Sequence, residues 1–301
     1  MRVLVLGATG MLGSAVYYTL GTDLRYETVG TARNAEMAAL LPKGQNCGLY
    51  LGVDVNSAAS LSALLKEIRP QVVINCIGVI KQIAASQDPC TAIEMNALLP
   101  HRLHHYCNLY DARLVQISTD CVFSGSKGHY LETDLCDATD LYGRTKLLGE
   151  VIAANAITLR TSIIGHEFNA GAQGLIGWFL SQTGSVNGFQ KAVFSGLPTT
   201  TLAGIMADYI LPNPSLSGLY HVAAAPIDKL SLLSLVRDVY GKDIHIRPSV
   251  DLVIDRSLSG DKFRSATGYQ APGWPALIAH MHASSHIWTA PAPEFAANGG
   301  H

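Results

Sequence analysis

The 301-residue chain is 48% hydrophobic and 15% charged, enough apolar material to bury one large core or two modest ones without disulfides or metals. A net charge of −2 supplies no broad positive field for a nucleic-acid backbone, and no apolar run reaches the length of a membrane span. Six cysteines without a CxxC pair, and no charged-then-apolar leader before the first strand, lead us to expect a soluble protein of the reducing cytoplasm.

"MRVLVLGATGMLGSAVYYTL" opens with an apolar run from Val3 to Leu6, turns on glycines, and continues with helical spacing from Met11 to Leu20. Further strands are expected at "ETVGTAR" (27–33), "GLYLGVDV" (48–55), "QVVINCIG" (71–78), "ARLVQIST" (112–119) and "AITLRTS" (156–162). Helical patterns separate most of them, over Ser57–Ile68, Pro89–Tyr110 and Leu141–Ala154. Strands alternating with helices of this length imply right-handed crossovers and a parallel sheet covered on both faces, an α/β, Rossmann-type doubly wound architecture. After residue 165 the alternation weakens at turns such as "NAGAQGLIG" and "FSGLPTTT", before a strand at Leu219–Ala223 and a helix at Lys229–Tyr240. The expected organisation is a dinucleotide-binding domain over 1–165, a smaller substrate-binding lobe over 166–289 that shares elements with it, and a Pro- and Gly-rich disordered tail over 290–301.

The turn "GATGMLG" directly follows a strand and opens a helix, where a pyrophosphate can approach backbone N–H groups and the positive end of the helix dipole. Gly7, Thr9, Gly10, Met11, Leu12 and Gly13 are therefore candidate cofactor-binding positions, although the spacing is GxxGxxG and not the GxGxxG of many dehydrogenases. The second strand ends in Gly30-Thr31-Ala32-Arg33 with no carboxylate to accept from an adenosine ribose. Thr31 can donate a hydrogen bond and Arg33 can clamp a 2′-phosphate, so NADP(H) is favoured over NAD(H). Asp54 and Val55 lie where an adenine edge can be met, and Cys76, Ile77 and Gly78 where the cofactor crosses the sheet.

"DLYGRTKLLGE" (140–150) sets Tyr142 and Lys146 four residues apart on one helical face. A free phenol titrates near pH 10, and a neighbouring ammonium stabilises the phenolate and lowers that pKa, which makes Tyr142 a usable acid. "VQISTDCVFSG" ends the fifth strand with hydroxyls beside it: Thr119 as the donor to a carbonyl oxygen, and Ser118 pointing the opposite way, toward the cofactor. The spacing of His101, His104 and His105 allows two on one helical face, but no further ligand completes a metal site and a solvated face explains them.

This combination resembles the extended short-chain dehydrogenase/reductase family over nearly the whole chain. Within it, "STDCVFSG" and "YGRTKLLGE" are similar to the STDYVFDG and YGRTKxxGE motifs of nucleotide-sugar reductases such as the dTDP-4-dehydrorhamnose reductases. The resemblance implies that Thr119, Tyr142 and Lys146 are the catalytic trio, and that Asn96 in "EMNALLP" supports the site beside the cofactor. Cys121 replaces the family's frequent tyrosine and Ser124 its frequent aspartate, which bears on substrate fit. Asp120 either touches substrate or caps its turn. Lys81, Arg160 and Arg256 are candidates for neutralising a substrate diphosphate, and Thr199 lies in a substrate-side segment. Members often dimerise, some with Mg²⁺; Glu132 and Asp134 offer carboxylates, but a solvated acidic turn explains them equally, and no metal is expected.

The implied reaction is NADPH-dependent reduction of the C4 ketone of a nucleotide-linked 4-keto-6-deoxy sugar. Thr119-Asp120-Cys121 argues against a 4,6-dehydratase, which carries Thr-Asp-Glu there. A 4-epimerase uses the same trio and stays open. So does a non-catalytic dinucleotide-binding subunit resembling the regulatory subunit of methionine adenosyltransferase.

Overall fold

Residues 1–42, 45–79, 88–168 and 174–288 are described by the computed structural model of the chain. The first part alternates β1 (Arg2–Leu6), α1 (Met11–Gly21), β2 (Glu27–Ala32), α2 (Ala35–Ala39), β3 (Cys47–Leu51), α3 (Ala58–Ile68) and β4 (Val72–Asn75). One long helical stretch follows, as α4 (Pro89–Ala92), a π-helical segment (Ile93–Leu98) and α5 (Leu99–Leu109), then β5 (Arg113–Thr119), α6 (Leu141–Leu148) and β6 (Ala156–Thr161). The remainder comprises β7 (Ile163–Ile164), α7 (Leu175–Ser181), β8 (Ser185–Phe189), β9 (Ala192–Phe194), β10 (Leu197–Pro198), α8 (Thr199–Ile205), β11 (Gly218–His221) and β12 (Ile227–Asp228). It closes with α9 (Lys229–Val239), β13 (His245–Ser249), β14 (Ile254–Asp255), α10 (Asp261–Thr267) and α11 (Trp274–Ala283).

Seven strands form one sheet in the order β11-β6-β5-β4-β1-β2-β3, every neighbouring pair parallel. The alternation of β1 explains why both faces are covered. Val3 and Val5 enter one core with Val16 and Leu20 of α1 and Leu202 of α8, while Leu4 and Leu6 enter the other with Leu61 and Leu65 of α3 and Leu103 of α5. Each such fully buried side chain contributes about 1.5–3 kcal/mol. The chain winds outward from β1 through β2 to β3, then returns to β4 on the other side of β1. The strand order therefore reverses between β1 and β4, which opens a crevice at their carboxyl ends. No helix among the described residues is long and apolar enough to cross a membrane.

Several boundaries differ from the sequence reading. The third strand stops at Leu51, before Asp54 and Val55. The helix expected over 89–110 contains a π turn because Pro100 has no N–H for the Asn96 carbonyl; Leu99 N–H reaches back to the Glu94 carbonyl instead. The helix expected to run to Ala154 ends at Leu148, since Val151 leaves it to exchange two hydrogen bonds with the Thr158 hydroxyl on β6 (3.1 and 2.6 Å). The late strand joins the main sheet beside β6 as β11, so the C-terminal part completes the sheet that the N-terminal part begins. Helices α7, α8, α10 and α11 were masked in the sequence by the glycine and proline turns around them. The tail 290–301 lies outside the described residues.

A tight point of this frame is the turn from β1 to α1. Gly7 has φ +77°, and a Cβ at Gly13 would run into the Gly7 carbonyl. Gly13→Ala is expected to cost about 1–3 kcal/mol through overpacking, measured by urea denaturation; an unchanged midpoint would contradict this packing.

Candidate active site

Two turns flank the crevice. In the first, Gly7 N–H donates to the Thr31 hydroxyl at 3.1 Å, Gly10 N–H donates to the Gly7 carbonyl at 3.1 Å, and Ile77 from the β4 turn packs against Gly7. Gly10 caps α1 without a side-chain bond and the first turn holds no acidic residue, which leaves its N–H groups and the dipole for an anion. Leu12 is buried, so only its backbone can face a ligand, whereas Thr9 and Met11 are partly exposed. This cradle, which a Cβ would fill, fits the pyrophosphate of a dinucleotide. Thr31 is buried with its oxygen already accepting from Gly7, so its first role is to brace the turn. Arg33 is exposed at the end of β2, with no ion-pair partner among the described residues. Asp54 is exposed and accepts from Asn56 N–H at 3.0 Å; Val55 packs on the second core.

In the second turn, Cys76 lies near Lys146; burial pushes its thiol up to about 12, with the Lys146 ammonium opposing. Gly78 faces the Asn96 amide. Both ends of that amide are taken, accepting from Val79 N–H at 2.9 Å and donating to the Val79 carbonyl at 3.0 Å and toward the Thr145 hydroxyl at 3.4 Å. Asn96 therefore pins the β4 turn to α6 through its own backbone and side-chain partners, a supporting place beside the crevice. The π turn aims it there.

The trio comes together where α6 crosses the end of β5. Asp140 caps α6 by accepting from Gly143 N–H at 3.0 Å, and Gly143 lets the helix lie directly on the Cys121 carbonyl, which a Cβ would strike. Tyr142 is thereby brought beside Thr119, Asp120 and Cys121, all of which act on its phenol. Burial, then the neighbouring Cys121, holds the phenol above its ordinary value, and the Thr119 hydrogen bond draws it back. Lys146 is buried, donates to the Ile117 carbonyl at 2.7 Å, and is pushed down to about 8 by burial, with Glu150 opposing. In the chain by itself the phenol is thus raised, not lowered, and burial is the first cause. Thr119 is the group that lowers the phenol, and burial outweighs it because a phenolate loses more hydration than the hydrogen bond returns.

Three expected contacts fall elsewhere. Ser118 and Arg160 point beneath the sheet ends into one buried cluster. Arg160 grips Glu150 through Nε (2.7 Å) and Nη2 (2.8 Å), Ser118 donates to the same carboxylate at 2.7 Å, and Arg160 lies over the Phe123 ring. With side chains only 4% and 5% exposed, the Arg160–Glu150 pair offers nothing to a diphosphate. Thr199 is buried against Gly165 and Lys81 lies outside the described residues. His101 meets the Leu148 carbonyl, His104 meets Asn155, Glu132 accepts from His221 N–H, and Asp134 pairs with Lys127. Among the described residues no three His, Cys, Asp or Glu side chains are grouped to hold a metal.

Beside the trio opens a cavity of about 350 Å³ whose wall includes Asp120, Cys121, Trp178, Phe189, Lys229 and Arg256. Arg256 donates to the Phe123 carbonyl at 2.8 Å and reaches Cys121 Sγ at 3.7 Å. Asp120 is buried, accepts from the Thr119 hydroxyl at 3.2 Å, and has its carboxyl raised by burial against the pull of Arg256. Thr119, not Asp120, caps the turn with its side chain, by accepting from Cys121 N–H at 3.2 Å, and Asp120 forms part of the cavity wall. Sequence reasoning missed Lys229 and Trp178. Lys229 reads as the solvated start of an amphipathic helix, and only the packing of α9 over β9 turns it inward.

The family model described as the RmlD substrate binding domain matches residues 1–243. Methionine adenosyltransferase 2 subunit beta of Mus musculus is 26% identical over 273 residues, covering 83% of this chain and 75% of that protein. A probable low-salt glycan biosynthesis reductase of Haloferax volcanii is 29% identical over 231 residues, covering 76% of this chain and 71% of its own length. The crystal structure of dTDP-4-dehydrorhamnose reductase from Bacillus anthracis in complex with NADP has the same fold, with a TM-score of 0.74 at 18% identity over 94% of this chain and 99% of that one.

Glu150→Gln is expected to destabilise the chain by about 3–5 kcal/mol, because it leaves Arg160 charged and buried; loss of less than 1 kcal/mol in urea denaturation would mean the pair is dispensable. Lys146 supplies a pH test. Below about pH 8 it is charged both folded and unfolded and its burial cost is fully present, while between about 8 and 10.5 the unfolded chain alone keeps the proton. Wild type should therefore gain stability relative to Lys146→Met between pH 7 and pH 10, on the order of 2 kcal/mol. A pH-independent difference would refute the shift.

Proposed function

The chain belongs to the family described as the RmlD substrate binding domain, and from that premise we propose that it is an NADPH-dependent reductase of the C4 ketone of a nucleotide-linked 4-keto-6-deoxy sugar. The observation that carries this reading is Tyr142 held beside Thr119, next to a cavity walled by Asp120, Cys121, Lys229 and Arg256, with the N-terminus of α1 left without a side-chain cap. When bound, the cofactor supplies the hydride.

Gly7, Gly10 and the first N–H groups of α1 hold the pyrophosphate; Arg33, exposed and unpaired, takes the 2′-phosphate, and Cys76–Gly78 line the passage across the sheet. The reductase from Bacillus anthracis, which shares the fold, holds NADP. Thr119 turns its hydroxyl proton from Asp120 to the ketone oxygen, and Tyr142 passes its own proton to that oxygen as the carbon is reduced. A phenol held above its ordinary value stays protonated at neutral pH, which a proton donor requires. The phenolate left behind is stabilised by Lys146, still mostly charged at pH 7, and water reprotonates it.

A second reading is favoured by the relatives named methionine adenosyltransferase 2 subunit beta, which match along 83% of the chain. In that reading the same dinucleotide groove serves a non-catalytic regulatory subunit. Incubation with NADPH and a panel of dTDP-, UDP- and GDP-linked 4-keto-6-deoxy sugars separates the readings. A reductase consumes one NADPH per sugar, a 4-epimerase none, and a regulatory subunit neither turns over nor isomerises any of them.

Tyr142→Phe removes the acid and spares the groove, so kcat should fall by about 10²–10⁴-fold while NADPH affinity, followed by fluorescence titration, stays within about twofold of wild type. An unchanged kcat would remove Tyr142 from its assigned role.

A further inference from the structure

Beside the trio sits a cation that the fold itself does not require. Lys229 opens α9 at the positive end of a helix, where a cation is disfavoured, and Asp228, not the lysine, supplies the cap. Its ammonium rests over the Phe194 ring, 4.2 Å from the centroid, and makes no ion pair or hydrogen bond among the described residues. The second cation of the wall, Arg256, commits Nε and Nη1 to Phe123 and Cys121 and keeps Nη2 unengaged among the described residues. Against these two stands one carboxylate in the lining, Asp120, itself bonded to Thr119. A cavity so arranged carries uncompensated positive charge in surroundings that are otherwise largely apolar, with Trp178, Phe189 and Leu252 among its walls.

We propose that Lys229 is a substrate-binding and specificity-determining residue, forming with Arg256 a two-cation clamp for the diphosphate of a nucleotide-linked substrate whose base lies along the Trp178 and Phe189 wall. This rests on the nucleotide-sugar reading and adds to it a residue and a charge requirement: two cations select a diphosphate over a nucleoside. The cofactor's own pyrophosphate is the rival anion, but no residue of the Gly7–Gly13 turn lines this cavity. Keeping a half-buried, unpaired ammonium costs stability, so the clamp also implies a trade between stability and binding.

The test is calorimetric titration of wild type, Lys229→Met and Lys229→Arg with UDP, dTDP and GDP, with the matching nucleosides, and with NADPH. Lys229→Met should bind whichever diphosphate wild type prefers about 10- to 100-fold more weakly, while Lys229→Arg keeps most of the affinity. Nucleoside and NADPH binding should not move, and the thermal midpoint of Lys229→Met should be equal or higher, which a structural role would not produce. Unaltered diphosphate affinity in Lys229→Met, an equal loss of NADPH affinity, or no diphosphate binding by wild type would each overturn the clamp. If wild type reduces 4-keto sugar nucleotides but Lys229→Met binds diphosphates normally, the clamp falls and the reductase stands. If diphosphate binding depends on Lys229 in a chain that oxidises no NADPH, the clamp stands and the reductase falls.

Discussion

The buried Glu150–Arg160 pair is the constraint on which the rest of the site depends. Glu150 lies just past the end of α6, Arg160 on β6 and Ser118 on β5, and all three meet at one carboxylate. Burying an ion pair is expensive unless its remaining donors and acceptors are satisfied. Here the carboxylate accepts three hydrogen bonds, and the guanidinium is further covered by the Phe123 ring and His221. The result is a helix that cannot slide along the sheet ends. With the far end of α6 held and Gly143 pressed on the Cys121 carbonyl, Tyr142 can only fall beside Thr119, and Lys146 can only reach the Ile117 carbonyl.

That rigidity has an electrostatic cost, concentrated in the cleft. Tyr142, Lys146, Asp120 and Lys229 are all shifted toward their neutral forms, and burial is the first cause for each. A chain selected for stability alone would replace such groups by apolar ones of similar size. Their grouping at the end of β5 and along the adjoining cavity, which Asp120 and Lys229 line, is the pattern expected where protonation states and charge are put to use. The phenol illustrates how local the balance is. Its i+4 lysine neighbour donates to a backbone carbonyl as well, and burial outweighs what Thr119 returns.

Much of this was legible along the chain. Alternating apolar strands with amphipathic helices leave few ways to bury both faces of a sheet, and the glycine turn after β1 announces itself because no other residue fits there. Tyr142 and Lys146 share a helical face at a spacing that any helix enforces. Arg160 and Ser118 misled for one reason: residue type states what a group can bind, and a strand end presents two faces, so Thr119 turns to Asp120 of the cavity wall while Ser118 turns under toward Glu150. What Asn96 holds was not legible in advance, because a π turn before Pro100 aims its amide at the backbone of Val79.

What the amino-acid order determined by itself is therefore everything periodic or local: the sheet class, the phosphate-binding turn and the helical pairing of phenol with amine. What only the tertiary structure decided is which charges face one another across elements distant in sequence. Glu150 with Arg160 and Lys229 with Arg256 are such groupings. The reason is physical: periodicity fixes the direction of a side chain relative to its own backbone, whereas the cost or gain of a charge depends on burial and on neighbours that long-range packing alone supplies.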